Sequence, residues 1–116
     1  MLAGIRRVYD KRSVTDGRRV LVDRLWPRGI KKGTQSVDLW MRDVAPSTEL
    51  RKWFSHDPEK WPEFRERYRH ELSGSKALAE LVGMAKRQTV TLIYAAKDTE
   101  HNDAVVLAEL MREKGA

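Results

Sequence analysis

The chain has 116 residues, 41% of them apolar, with no cysteine and 23 Lys and Arg against 17 Asp and Glu. The length predicts one domain large enough to bury a core of its own, and the missing thiols exclude a disulfide framework, a Cys-ligated zinc and a cysteine nucleophile. Residues 1–35 carry ten basic and three acidic side chains and residues 36–116 thirteen and fourteen, so the whole basic excess belongs to the first third and points to an anionic partner.

In chain order, Ile5–Asp10 alternates weakly and predicts a short first strand. The turn signal Asp16-Gly17 precedes a second strand, Arg18–Leu25, which Trp26-Pro27-Arg28-Gly29 ends because proline removes an amide donor and glycine permits unusual φ. Ile30–Ser36 is a polar loop, and Leu39–Val44 is a third strand or extended segment stopped by Ala45-Pro46. Ser47 is an N-cap for a helix with Leu50, Trp53 and Phe54 on one face. Asp57-Pro58 is a second helix start, which Pro62 displaces toward Trp61. From there Trp61, Phe64, Tyr68 and Leu72 line one face as far as Ser73-Gly74. Ser75 caps a third helix that buries Leu78, Leu81, Val82 and Ala85. Thr89–Ala96 is apolar on both faces and predicts a central strand flanked by helices on either side. Its apolar stretch is far shorter than the ~20 residues that cross a bilayer. Asp98–Asn102 leads into a last helix with Val105, Val106, Leu110 and Met111 inward. The pattern is that of an α/β fold: a single-domain three-layer sandwich, residues 1–116, with a small, mostly parallel central sheet. The beginning of the chain lacks a signal peptide's apolar region, so a cytoplasmic protein with no membrane contact is expected.

Ligands of open α/β sheets bind outside the carboxyl ends of the strands. Two segments fall there: Arg24–Gly29, and Tyr94–Asp103 running into the last helix. Arg24 and Arg28 offer planar forks for a phosphate or carboxylate; the competing reading pairs them with Asp23 or Asp43 to hold the loop. Trp26 either shapes a pocket and stacks on a base or simply packs. Tyr94, Lys97 and Asn102 complete the binding candidates. For proton transfer the candidates are His56 and His101, with Asp43 or Asp98 as orienter, against the plainer reading of histidines bonded near helix caps. Asp98, Glu100 and Asp103 could join His101 on a metal, but acids at a helix start are explained by its dipole, so neither metal nor cofactor is expected. His70 reads as solvated surface, and the aromatics from Trp53 to Tyr68 read as core.

Four stretches also carry a family resemblance. Val20-Leu21-Val22-Asp23-Arg24-Leu25-Trp26-Pro27-Arg28-Gly29 is similar to the signature of YeaO-like proteins, in domain-of-unknown-function family 488. Asp43-Val44-Ala45-Pro46-Ser47, Leu50-Arg51-Lys52-Trp53-Phe54 through His56-Asp57-Pro58, and Tyr94-Ala95-Ala96-Lys97-Asp98 through His101-Asn102 resemble the same family. The resemblance covers roughly residues 5–112 and implies a compact bacterial α/β domain without an assigned activity. Longer relatives carry cysteines in the loop that matches Ala95–Asp103, with a Cys-His-Arg run near its end. Here that loop reads Glu100-His101-Asn102-Asp103, so His101 matches the histidine while the cysteine and arginine are absent. A thiolate step is not open to this chain. Three functions follow as expectations: a basic pocket for an anionic small molecule such as a nucleotide, with or without cysteine-independent acid–base chemistry; a nucleic-acid-binding module using the basic first third; or an interaction domain without a ligand.

Overall fold

In a computed structural model describing residues 1–116, four parallel strands form one sheet: β1 (Leu2–Arg7), β2 (Arg18–Leu21), β3 (Leu39–Trp40) and β4 (Val90–Tyr94). The spatial order is β1-β4-β2-β3, which puts the most apolar strand between two neighbours. All five residues of β4 are buried, and they are β-branched or apolar throughout, as a strand covered on both faces requires. Helices α1 (Thr48–Phe54), α2 (Trp61–Glu71), α3 (Lys76–Arg87) and α4 (Asp103–Glu113) follow the capping signals. The hydroxyls of Ser47 and Ser75 accept the amides of Leu50 and Leu78, each at 3.1 Å, and the Asn102 side chain accepts that of Val105 at 3.1 Å. Pro62 is harmless because α2 starts at Trp61, inside the first turn where an amide has no partner to lose.

One sheet face, carrying Val20, Val22, Val90, Leu92 and Tyr94, packs against buried side chains from all four helices. Each fully buried Leu or Val there stabilises the fold by roughly 1.5–3 kcal/mol. The opposite face is covered differently from expectation. Leu21, Ile93 and Val8 are buried under Trp26, Ile30, Val37 and, from β3, Trp40, so the second cover is loop chain with one strand residue and not helix.

That cover is held by an ionic network. Arg19, fully buried on β2, donates to Asp16, to the carbonyl of Ser36, and to the carbonyls of Val8 and Asp10. Asp16 also accepts from Arg6 at 2.9 Å, and Asp38 accepts the Arg19 amide and the Arg12 guanidinium. Each guanidinium nitrogen thereby has a partner, which a charge at this depth demands. Gly17 lies at φ +63°, where a Cβ would come within 2.4 Å of the Thr89 carbonyl oxygen, so the turn into β2 needs glycine.

Element boundaries shift for local reasons. β1 runs earlier than Ile5–Asp10, because the Asp10 side chain accepts the Arg7 amide and its own amide closes onto the Arg7 carbonyl, turning the chain away. β3 is only Leu39–Trp40; the rest of the expected segment forms a single 3-10 turn, Arg42–Val44. In α4 the buried stripe is Ala104, Val106, Leu107, Ala108 and Met111, with Val105 and Leu110 half-exposed. No helix is long and apolar enough to cross a membrane.

Candidate functional site

With all strands parallel, the chain that leaves each one emerges at the same edge of the sheet. A cleft of about 870 Å³ opens there, lined by Tyr9 after β1, Asp23–Arg28 after β2, Pro46, the end of α1 with the turn after it, and the loop Ala95–Asp103 after β4. The two segments singled out in the sequence, Arg24–Gly29 and the loop into α4, thus share one hollow. The Arg7 side chain fixes the second of them by donating to the carbonyls of Ala96 at 3.0 Å and Ala95 at 3.1 Å.

Among the candidates, Arg24, Trp26, Arg28, His56, Lys97, Asp98, His101 and Asn102 line the cleft. Arg24 spends its Nε on the Pro46 carbonyl at 3.0 Å, and the rest of its guanidinium makes no ion pair. Arg28 is exposed, and its backbone carbonyl, not its side chain, accepts from the Tyr9 hydroxyl at 2.8 Å. Trp26 is largely a packing residue: its indole donates to Ile30 at 2.6 Å and its ring meets Trp40 edge-on at 5.3 Å. Asn102 is buried and committed to the cap of α4 and to the Asp98 carbonyl. Tyr94 lies in the core and not on the cleft wall, and burial raises the pKa of its phenol. Asp43 is exposed on the 3-10 turn away from the cleft, so as an orienter it has no histidine to orient.

His101 and Asp98 do meet: Nδ1 of the ring lies 2.9 Å from Asp98 Oδ2, and the ring stands edge-on to Trp61 at 5.3 Å. The Glu100 amide and the His101 side chain hold the Asp98 carboxyl below its usual range. The pair is an oriented imidazole, able to move a proton at the cleft wall. His56 is exposed on a turn in which both it and Ser55 have positive φ, 58° and 47°. Each such residue costs of order 1–3 kcal/mol, a strain that commonly collects at ligand sites.

Four further charged residues line the cleft that were not chosen as binding or catalytic residues, although Asp103 was weighed for a metal. Arg51 and Lys52, exposed at the end of α1, add two cations that enter no ion pair. Their signal lay in the stretch Leu50–Phe54, where two adjacent cations precede a turn. Asp23 and Asp103 form an acid pair: burial raises the pKa of both, that of Asp103 strongly, and the Asp23 carboxyl is near enough to raise that of Asp103 further. No local pattern announces that contact, because the two residues are joined only by the fold. No cluster of three or more His, Asp or Glu side chains is arranged to hold a metal ion.

These features define an α/β protein with a mixed-charge cleft at the carboxyl ends of a parallel sheet. The chain belongs to the family described as the Inactive DUF488-N3 subclade, which it matches over residues 3–116. It is 49% identical over 107 residues to the uncharacterized protein Rv3073c of Mycobacterium tuberculosis, covering 92% of this chain and 91% of that one. To the uncharacterized protein YeaO of Escherichia coli it is 46% identical, over 92% of this chain and 94% of the relative. No solved structure matches it.

Proposed function

We propose that the protein binds an anionic small molecule in this cleft. One observation carries the reading: Arg24, Arg28, Arg51, Lys52 and Lys97 line a single hollow, and none of them forms an ion pair. Unpaired cations gathered in a concave, partly apolar site favour an anion of nucleotide or sugar-phosphate size. A cytoplasmic location belongs to the same proposal. The family description, inactive, and the lack of a thiol favour recognition without turnover.

The rival nucleic-acid reading loses much of its basis in the fold itself. Of the basic side chains in the first third, Arg6, Arg12 and Arg19 are paired with Asp16 and Asp38, while Arg7 is bonded to the carbonyls of Ala95 and Ala96. A second reading, acid–base turnover, is favoured only by the His101–Asp98 contact of 2.9 Å.

Thermal-shift and calorimetric titration with inorganic phosphate, nucleoside monophosphates, sugar phosphates and citrate test the proposal. At least one of these is expected to raise Tm, and Arg28→Ala to abolish that rise while leaving the unliganded Tm unchanged. Full stabilisation of Arg28→Ala by the same compound, or no response to any of them, would overturn the assignment. Affinity for a short DNA or RNA that collapses between low and physiological salt would favour the nucleic-acid reading instead.

A further inference from the structure

Most of the cleft's cations stand apart from its acids; the exception is Arg24, which is half-buried and whose charge reaches the Tyr68 phenol as those of Asp23 and Asp103 do. Arg28, Arg51, Lys52 and Lys97 are exposed and stand at its rim. Asp23 and Asp103 are half-buried on its inner side, close enough to the fully buried Tyr68 for both carboxyls to disfavour ionisation of its phenol. Despite the surrounding cations, neither acid forms an ion pair with Lys or Arg. Asp23 accepts the Ala95 amide at 2.8 Å, and Asp103 sits in the first turn of α4, whose amides favour its ionised form. Edges of Trp26, Phe54 and Phe64 supply apolar wall in the same hollow. A cleft built only for an anion would gain nothing from two acids on its inner side, which oppose such a ligand as soon as either ionises. With no third His, Asp or Glu in ligating arrangement, a divalent cation is a poor match as well. A compact cation fits better: it offsets the cost of ionising the half-buried acids, and an ammonium supplies three donors to their oxygens.

Building on the anion-binding reading, we propose that the ligand is zwitterionic. Its phosphate or carboxylate lies among Arg28, Arg51, Lys52 and Lys97, its ammonium group lies against Asp23 and Asp103, and its carbon body runs along the apolar wall. The two charged ends are recognised by two separate sets of residues, so each can be removed without the other.

Calorimetric titration with a homologous series of ω-aminoalkyl phosphates, each paired with the alkyl phosphate lacking the amine, tests this. In the wild-type protein at least one amine-bearing member is expected to bind about tenfold or more tightly than its partner, equivalent to about 1.4 kcal/mol. Asp103→Asn and Asp23→Asn are expected to reduce that preference toward unity and to leave the affinity for inorganic phosphate no weaker. Equal binding of amine and alkyl partners throughout the series, or an undiminished preference in both variants, would overturn the zwitterion while leaving the anion site standing. No binding of any phosphate would remove both. The wild-type comparison is decisive even where a variant fails to fold.

Discussion

Asp23, just beyond the end of β2, and Asp103, the first residue of α4, bring their carboxyl groups together on the inner side of the cleft. Burial is the leading cause that raises both pKa values; the neighbouring Asp23 raises that of Asp103 further, while the contact with Asp103 works the other way on Asp23. Two acids this close to the core keep a proton that either alone in water would lose.

The pair makes stability fall as pH rises. A carboxyl whose pKa is raised by folding favours the folded state below its unfolded value and loses that contribution as pH climbs through the folded value. Asp103→Asn removes the more strongly shifted of the two titrations. The variant is expected to be more stable than wild type at neutral pH by about 1 kcal/mol, less whatever the lost charge at the helix start had contributed. The gain should vanish on acidification below the ordinary Asp value of 3.8. Urea unfolding at stepped pH measures it; a difference that stays constant with pH would contradict the shared proton.

Asp16 has the opposite sign. Burial alone would raise its pKa, but bonds from the Ser13 amide, Arg19 and Arg6 outweigh that and hold it below the usual range. Its contribution is therefore present above the ordinary carboxylate range and lost as pH falls through the lowered value. Asp16→Ala strands the Arg19 charge in the interior and is expected to cost about 3–5 kcal/mol. Chemical denaturation at neutral pH checks the size, and the loss of wild-type stability on acidification checks the sign.

Tyr68, fully buried on α2, donates its hydroxyl to the Val44 carbonyl and so ties the 3-10 turn to the helical layer. Tyr68→Phe leaves that carbonyl without its donor. The expected loss is about 1–2 kcal/mol of stability with ligand affinity in the cleft unchanged. Equilibrium unfolding and the titration used for the cleft read the two effects separately.

Two glycines at positive φ provide an internal control. At Gly17 a Cβ would meet the Thr89 backbone at 2.4 Å, whereas at Gly29, φ +77°, nothing lies within 4 Å. Gly29→Ala is expected to cost about 1 kcal/mol from the left-handed backbone alone. Gly17→Ala should cost about 2–3 kcal/mol or more, since the strand-end backbone must also move. Thermal unfolding of both variants ranks them; equal losses would contradict the close approach at Gly17.

Much of the architecture was legible because its signals are local. Ser47 and Ser75 cap the helices expected of them, Pro62 displaces a helix start to Trp61, and the unbroken apolar run Val90–Tyr94 marks the inner strand. The stripe of α4 was misplaced by part of a turn, because Val105 and Leu110 are as apolar as the residues that replace them inside. Asp43 was offered as an orienter on composition alone, and a residue's type does not say which way its turn faces. Arg19 read as one more cation in a basic stretch. Nothing beside it in the chain shows that it is fully buried and gathers Asp16 with the carbonyls of Val8, Asp10 and Ser36.

By itself, the sequence determined the α/β character, the helix starts, the exclusion of thiol chemistry and the two segments that belong at the strand ends. Capping and periodicity act within a turn or two of chain, so they survive without knowledge of the fold. Only the tertiary structure decided that β4 lies between β1 and β2, that Arg6, Arg12 and Arg19 are consumed by internal pairs while Arg28, Arg51, Lys52 and Lys97 remain free, and that Asp23 meets Asp103. Those outcomes depend on which distant segments close on one another and how much water they exclude. Such closure is a property of the packed whole that no short stretch of residues encodes.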